Sequence, residues 1–169
     1  MQASFLAQPM KRTILIPTDF SIESLKLLKE AVATVEIGSI NIVFLHCIYL
    51  SDSIFDLLFF SKKEWIESLV TKDFDDGCKI IRNKYGNKIN SARVEFFTGS
   101  TQQAFNNFLE GHQVDEIMLP KYYVFKSSSK KSFNPEPYLR KSTLPLIEVV
   151  SQKSDKEPEK NSLAEIFLL

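Results

Sequence analysis

Thr13-Ile14-Leu15-Ile16-Pro17-Thr18-Asp19-Phe20-Ser21 is the stretch that decides the fold. A short apolar run carrying two β-branched isoleucines ends in a polar turn, and a helical pattern follows at once. Ile22, Leu25, Leu28, Val32 and Val35 recur at the spacing of one helix face. The pattern predicts a strand near 12–17, an N-cap at Ser21 with Glu23 in the first turn, and a helix that ends before Gly38. Asp19 then stands where a strand hands over to a helix. In open parallel sheets that handover lines the crevice where ligands bind.

The rest of the chain reads as neighbours of this first strand. The stretch from Ser39 to Leu50 is a near-continuous apolar run, with Ile40, Ile42, Val43, Phe44, Leu45, Cys47 and Ile48 and with His46 near its end, as suits a strand covered on both faces. Ser61-Lys62-Lys63-Glu64 is a capping box, and the helix after it turns Ile66, Val70, Phe74, Gly77, Cys78 and Ile81 inward, ending near Tyr85-Gly86. A third strand alternates over 92–97. A second capping box, Ser100 to Gln103, opens a short helix with Ala104, Phe105, Phe108 and Leu109 inside, stopped by Gly111. A fourth strand over 115–119, a loop of about a dozen residues, a short helix near 135–141 and a fifth strand over 144–150 complete the series. Alternation of strand and helix predicts βαβ units: an α/β fold, a single doubly wound parallel sheet with helices on both faces.

Ile14-Leu15-Ile16-Pro17-Thr18-Asp19-Phe20-Ser21, followed by Ser24 and Ala31, resembles the opening of the universal stress protein family. The resemblance runs from about Lys11 to Val150. It implies a five-stranded sheet of order 3-2-1-4-5, of the adenine nucleotide alpha-hydrolase-like kind. The ligand crevice would lie between strands one and four. Many members bind ATP through Gly, two residues, Gly, nine residues, Gly, then Ser or Thr, after the fourth strand. Small residues are needed there so that phosphates can reach backbone N–H groups at a helix start. Here those positions fall on Pro120, Tyr123 and either Ser132 or Phe133, and no glycine follows Gly111. Pro120 has no N–H to offer, and Tyr123 fills space a phosphate needs. The usual triphosphate cradle is expected to be absent, and no cofactor is assigned.

The resemblance leaves a candidate ligand-binding set of Pro17, Thr18, Asp19, His46, Pro120, Lys121, Tyr123, Lys130, Lys131 and Ser132. Asp19 matches the family aspartate near the adenosine end, but an aspartate at such a turn also caps backbone donors. His46 is either a hydrogen-bonded structural residue or, less favoured, a catalyst. The basic, hydroxyl-rich segment 126–131 either holds an anion or is a solvated loop. Tyr122, Tyr123 and Phe125, together with the apolar stretch 55–60, either plug the crevice or line an apolar pocket; the plug is preferred. No catalytic residue and no metal site is assigned, since there is no P-loop, GxSxG elbow or HExxH, and His46 and His112 stand alone.

Three parts are expected: a flexible leader over 1–10, a domain over 11–150, and a polar linker with an apolar end over 151–169. The apolar end either frays or docks, into the crevice or onto another chain. Twenty-one basic and twenty-one acidic residues cancel, so neither nucleic acid nor an anionic membrane is expected as principal partner. Cys47 and Cys78 form no CxxC pair and read as free thiols in a reducing cytoplasm. No run reaches membrane-spanning length, and a cytoplasmic protein is expected. The resemblance implies a homodimer through the fifth-strand edge, with Leu144, Leu146, Ile147 and Val149. The functional expectation is a stress-response or regulatory module that acts through contacts with an unidentified protein. The alternatives are an ATP or AMP switch built on Asp19 and 126–131, or a binder of small apolar ligands.

Overall fold

A computed structural model describes residues 11–51 and 53–150. The leader over 1–10 and the linker and apolar end over 151–169 lie outside the described residues. The elements run β1 (Arg12–Pro17), α1 (Ile22–Ala33), β2 (Ile40–Cys47), α2 (Ile54–Leu58), α3 (Lys62–Leu69), α4 (Lys72–Tyr85), β3 (Ile89–Phe97), α5 (Gln102–Gly111), β4 (Glu116–Pro120), α6 (Glu136–Arg140) and β5 (Leu146–Val149). The five strands form one sheet of order β3-β2-β1-β4-β5, and every pairing is parallel. This is the order implied by the resemblance. All carboxyl ends therefore lie along one side of the sheet.

The strands divide two cores by simple alternation. Ile14 and Ile16 of β1, Ile40, Ile42 and Phe44 of β2 and Met118 of β4 face α1 and α4. Leu15, Val43, Leu45, Cys47, Ile117 and Leu119 face the other way, onto Phe105 and Leu109 of α5 and Leu139 of α6. With both faces covered, β1 and β2 need apolar residues at nearly every position, and Ile14, Leu15, Ile16, Ile42, Val43 and Leu45 are all fully buried. Asp115 fixes the start of the β1–β4 pairing: its carboxylate accepts from the Thr13 amide at 2.7 Å, and its own amide donates to the Thr13 carbonyl at 2.9 Å.

Several boundaries differ from the sequence reading. The single helix expected between Ser61 and Gly86 is two. Ser61 caps α3, its hydroxyl accepting from the Glu64 amide, but the chain turns extended at Val70 and Thr71 and starts again. Both residues are β-branched, and the Thr71 hydroxyl has two backbone partners: it accepts from the Phe74 amide in its own helix start and donates to the distant Phe20 carbonyl at 3.1 Å. Helix α3 consequently buries no residue, while α4 buries Phe74, Gly77 and Ile81. The cap of α5 is Thr101, not Ser100, and Gln103 bonds forward to Asn107. Strand β3 starts at Ile89, before the expected 92, and β5 is only four residues long, leaving Leu144 outside it. Ser21 stands at the N-cap of α1, but its hydroxyl makes no capping bond.

The stop of α5 is also not where glycine suggested. Gly111 remains helical, and Gln113 takes the left-handed position at φ 53°. The Gln113 amide donates to Glu110 and the Val114 amide to Leu109, the paired bonds of a Schellman ending. A left-handed non-glycine residue costs about 1–2 kcal/mol. Gln113→Gly is therefore expected to raise stability by up to about 1 kcal/mol, measured as an upward shift in the urea midpoint at unchanged slope.

Candidate functional site

The carboxyl end of β1 is shaped by two side chains that take up the free amides of the strand-to-helix turn. The Thr18 hydroxyl accepts from the Phe20 amide at 2.9 Å, and the Asp19 carboxylate accepts from the Ser21 amide at 2.9 Å and from the Ser24 hydroxyl at 3.2 Å. Thr18 also donates to Ser24 across 3.2 Å. These bonds hold Phe20 at φ 60°, a conformation an aromatic residue rarely accepts. Its ring is fully buried, 5.0 Å from the His46 ring and edge-on to Phe74 at 5.6 Å. The turn is thus over-determined by hydrogen bonds on one side and aromatic packing on the other.

His46 lies at the end of β2, 2% exposed, with both ring nitrogens engaged. Nδ1 is 2.8 Å from the Thr18 carbonyl oxygen, which can only accept, so the ring proton sits on Nδ1. Nε2 then accepts the Ser132 hydroxyl, also at 2.8 Å. Burial holds the imidazole below its ordinary pKa, against smaller upward contributions from Thr18 and Asp19. A neutral, enclosed ring with both nitrogens occupied is a structural bridge, not a proton shuttle.

Ser132 belongs to the loop between β4 and α6, and this loop lies over the carboxyl ends of β1 and β2. Ser132 and Ile48 form an antiparallel bridge. The Phe133 amide donates to the Cys47 carbonyl at 3.1 Å, and the Tyr49 amide donates to the Lys131 carbonyl at 2.7 Å. Ser128 reaches the Asp19 carbonyl at 2.7 Å, and Ser129 lies 3.2 Å from the Ser132 hydroxyl. Lys126 pairs with Glu23 of α1 at 3.3 Å. The segment 126–131, read as an anion holder or a solvated loop, is bonded to the chain's own backbone at Asp19 and Tyr49.

Of the ten candidate residues, Thr18, Asp19, His46 and Ser132 form one connected network, with Pro17 buried beneath it. Tyr123 is half-buried against the core that contains Leu119 and Phe133, and burial, with help from the Asp19 charge, raises its phenol pKa. Pro120 ends β4 opposite Val149. Lys121 is exposed, its amide bound to Val149 and its ammonium 5.9 Å from the Tyr122 ring. Lys130 is exposed, and Lys131 stands over the Trp65 ring at 5.8 Å. The lysines therefore do not converge on Asp19.

The aromatic plug is not assembled as expected. Only Tyr123 enters. Tyr122 is 75% exposed, and Phe55 and Phe59 stack on each other while remaining 68% and 74% exposed. Phe60 turns aside, edge-on to Phe96. Helix α2 is too short to bury a face, and its residues project from the sheet end. An open cleft of about 470 Å³ lies nearby, lined by Tyr49, Gln102, Phe133 and Tyr138 among others, but neither aromatic segment nor Asp19 contributes to it. Ser24, Ser128 and Ser129 were not among the candidates. The signal for the last two was the hydroxyl run itself, which reads as a solvated loop unless its partners are known.

The thiols of Cys47 and Cys78 are free, and burial raises both, the second to about 12. Among the described residues no helix is long and apolar enough to cross a membrane.

The sequence matches no family model and no curated protein. Solved structures share its outline. The hypothetical protein MJ0577, presented as a test case for assigning function from structure, is 19% identical over 85% of this chain and 98% of that one, with a TM-score of 0.49. A protein from the universal stress protein family of Burkholderia pseudomallei is 11% identical over 82% and 96%, with a TM-score of 0.44. A universal stress protein in complex with cAMP is 13% identical over the same shares, with a TM-score of 0.43. The fold assignment rests on this chain's own sheet order.

Two outcomes are expected for the His46 bridge. Ser132→Ala leaves a buried ring nitrogen without its donor and should cost about 1–3 kcal/mol in urea unfolding. Because burial lowers the folded pKa of His46 below 6.5, the unfolded chain binds more protons between those two values, and stability should fall as pH drops through 6.5. His112, also lowered by burial, acts in the same sense. His46→Gln should be less stable at pH 7.5 yet show a flatter decline toward pH values about one unit below 6.5; an unchanged slope would remove His46 from the account.

Proposed function

We propose that this chain is a universal-stress-protein-like regulatory module of the cytoplasm that does not hold ATP in the family manner and acts through protein contacts as a homodimer. One observation carries the first half. The loop that would have to wrap a polyphosphate is glycine-free and is bonded to Asp19, His46, Cys47 and Tyr49 of the same sheet end. A nucleotide seated beside Asp19 would have to displace hydrogen bonds between buried groups. The reading that makes Asp19 and 126–131 an ATP or AMP switch is weakened by the same bonds.

For the dimer, β5 is an edge strand paired only with β4. The Pro145 and Val149 carbonyls accept from β4 and its exit, so by alternation the amides of Leu146 and Glu148 point outward. Ile147 and Val149 are half-buried, and a second β5 would cover them and satisfy the outward groups. The stress served and the identity of a protein partner are matters for affinity capture.

Two measurements test the proposal. Melting temperature should not change with millimolar ATP or AMP, whereas a ligand at a hundredfold its Kd would add about 2.7 kcal/mol; a saturable rise would establish the switch instead. Light scattering should give twice the 19.4 kDa chain mass. Glu148→Pro, which removes an outward amide on the edge, should return the protein to monomer without unfolding it. A monomeric parent at micromolar concentration would refute the dimer.

A further inference from the structure

Helix α2 presents an apolar surface that nothing among the described residues covers: Ile54, Phe55, Leu57, Leu58 and Phe59 are each more than half exposed. A monomeric protein seldom leaves five consecutive-turn apolar side chains in water unless something binds them. The crevice beside Asp19 is already bridged by the β4–α6 loop, so the apolar end of the chain has no seat there. We propose that α2 is the docking surface for residues 163–169 of the same chain, an intramolecular cover.

Three observations select this occupant. First, placement: all five strands are parallel, so the chain leaves β5 at the same side of the sheet from which α2 follows β2. Second, reach: β5 and β2 are three strand spacings apart, about 14 Å. Twelve residues, the number from 151 to 162, span at most about 40 Å at full extension, and a coil of that length averages about 19 Å. A tether matched to its span in this way sets an effective concentration on the order of millimolar, enough for a weak apolar contact. Third, chemistry: 163–169 reads Leu-Ala-Glu-Ile-Phe-Leu-Leu, six apolar residues and one acid. A membrane fits less well, because the balanced 21 and 21 charges offer no pull toward anionic lipid.

The test compares amide chemical shifts of the ¹⁵N-labelled full chain with those of the full chain carrying Phe167→Asp and Leu168→Asp. Both substitutions lie outside residues 11–150, whose core is closed by its own side chains, so the core should be unaffected. The expected result is a loss of the native shifts at Ile54, Phe55, Leu57 and Leu58, independent of protein concentration. The labelled variant is then mixed with unlabelled parent. If native α2 shifts return in the mixture, the cover comes from a second copy and the intramolecular proposal is overturned. Unchanged α2 shifts in the variant would overturn it as well.

Discussion

The His46 ring ties together three pieces of chain at the carboxyl end of the sheet. Its Nδ1–H closes on the carbonyl of Thr18 at the end of β1, its Nε2 takes the hydroxyl of Ser132 from the loop after β4, and its own backbone belongs to β2. Both ring nitrogens are thereby satisfied inside the protein, so the ring is held from both sides. The left-handed Phe20 and the capped Asp19 turn pack against the same ring. Remove the imidazole and the turn, the loop and the strand end lose their common partner.

The consequence for function lies in what the bridge occupies. In a doubly wound sheet the carboxyl ends on either side of the order reversal are the natural ligand seat. In this protein β1 and β4 meet there, and the loop laid across that end contributes hydroxyls instead of glycine amides. The chemistry that would bind phosphate oxygens in an open cradle is here used to bind the chain itself. Solvent-facing apolar surface lies on α2, where Ile54, Phe55, Leu57 and Leu58 are each more than half exposed.

Much of this was legible in the residues. The buried strands were readable because a sheet covered on both faces demands continuous apolar runs, as in 13–17 and 40–48. The order of strands came through resemblance at Asp19 and its neighbours, not through periodicity. The break at Val70-Thr71 was hidden because Val70, Phe74 and Ile81 keep a helical spacing across it, and only the Thr71 bond to Phe20 decides the matter. Gln113 outdid Gly111 because the Schellman bonds to Glu110 and Leu109 fix where the turn falls. Aromatic density near 55–60 and 122–125 suggested burial, but a five-residue helix cannot turn every ring inward. The role of Ser128 and Ser132 was least visible, since a run of serines and lysines carries the same composition whether it is solvated or bonded.

Hydrogen exchange at two amides tests the central claim most directly. The Phe133 amide, donated to Cys47, and the Tyr49 amide, donated to Lys131, exist as protected groups only while the loop lies across the sheet end. Both should exchange about as slowly as the amides of β1 and β2, and their rates should be indifferent to millimolar ATP. Rapid exchange at these two positions, or a change in their protection on adding nucleotide, would contradict a sheet end closed by the protein's own loop.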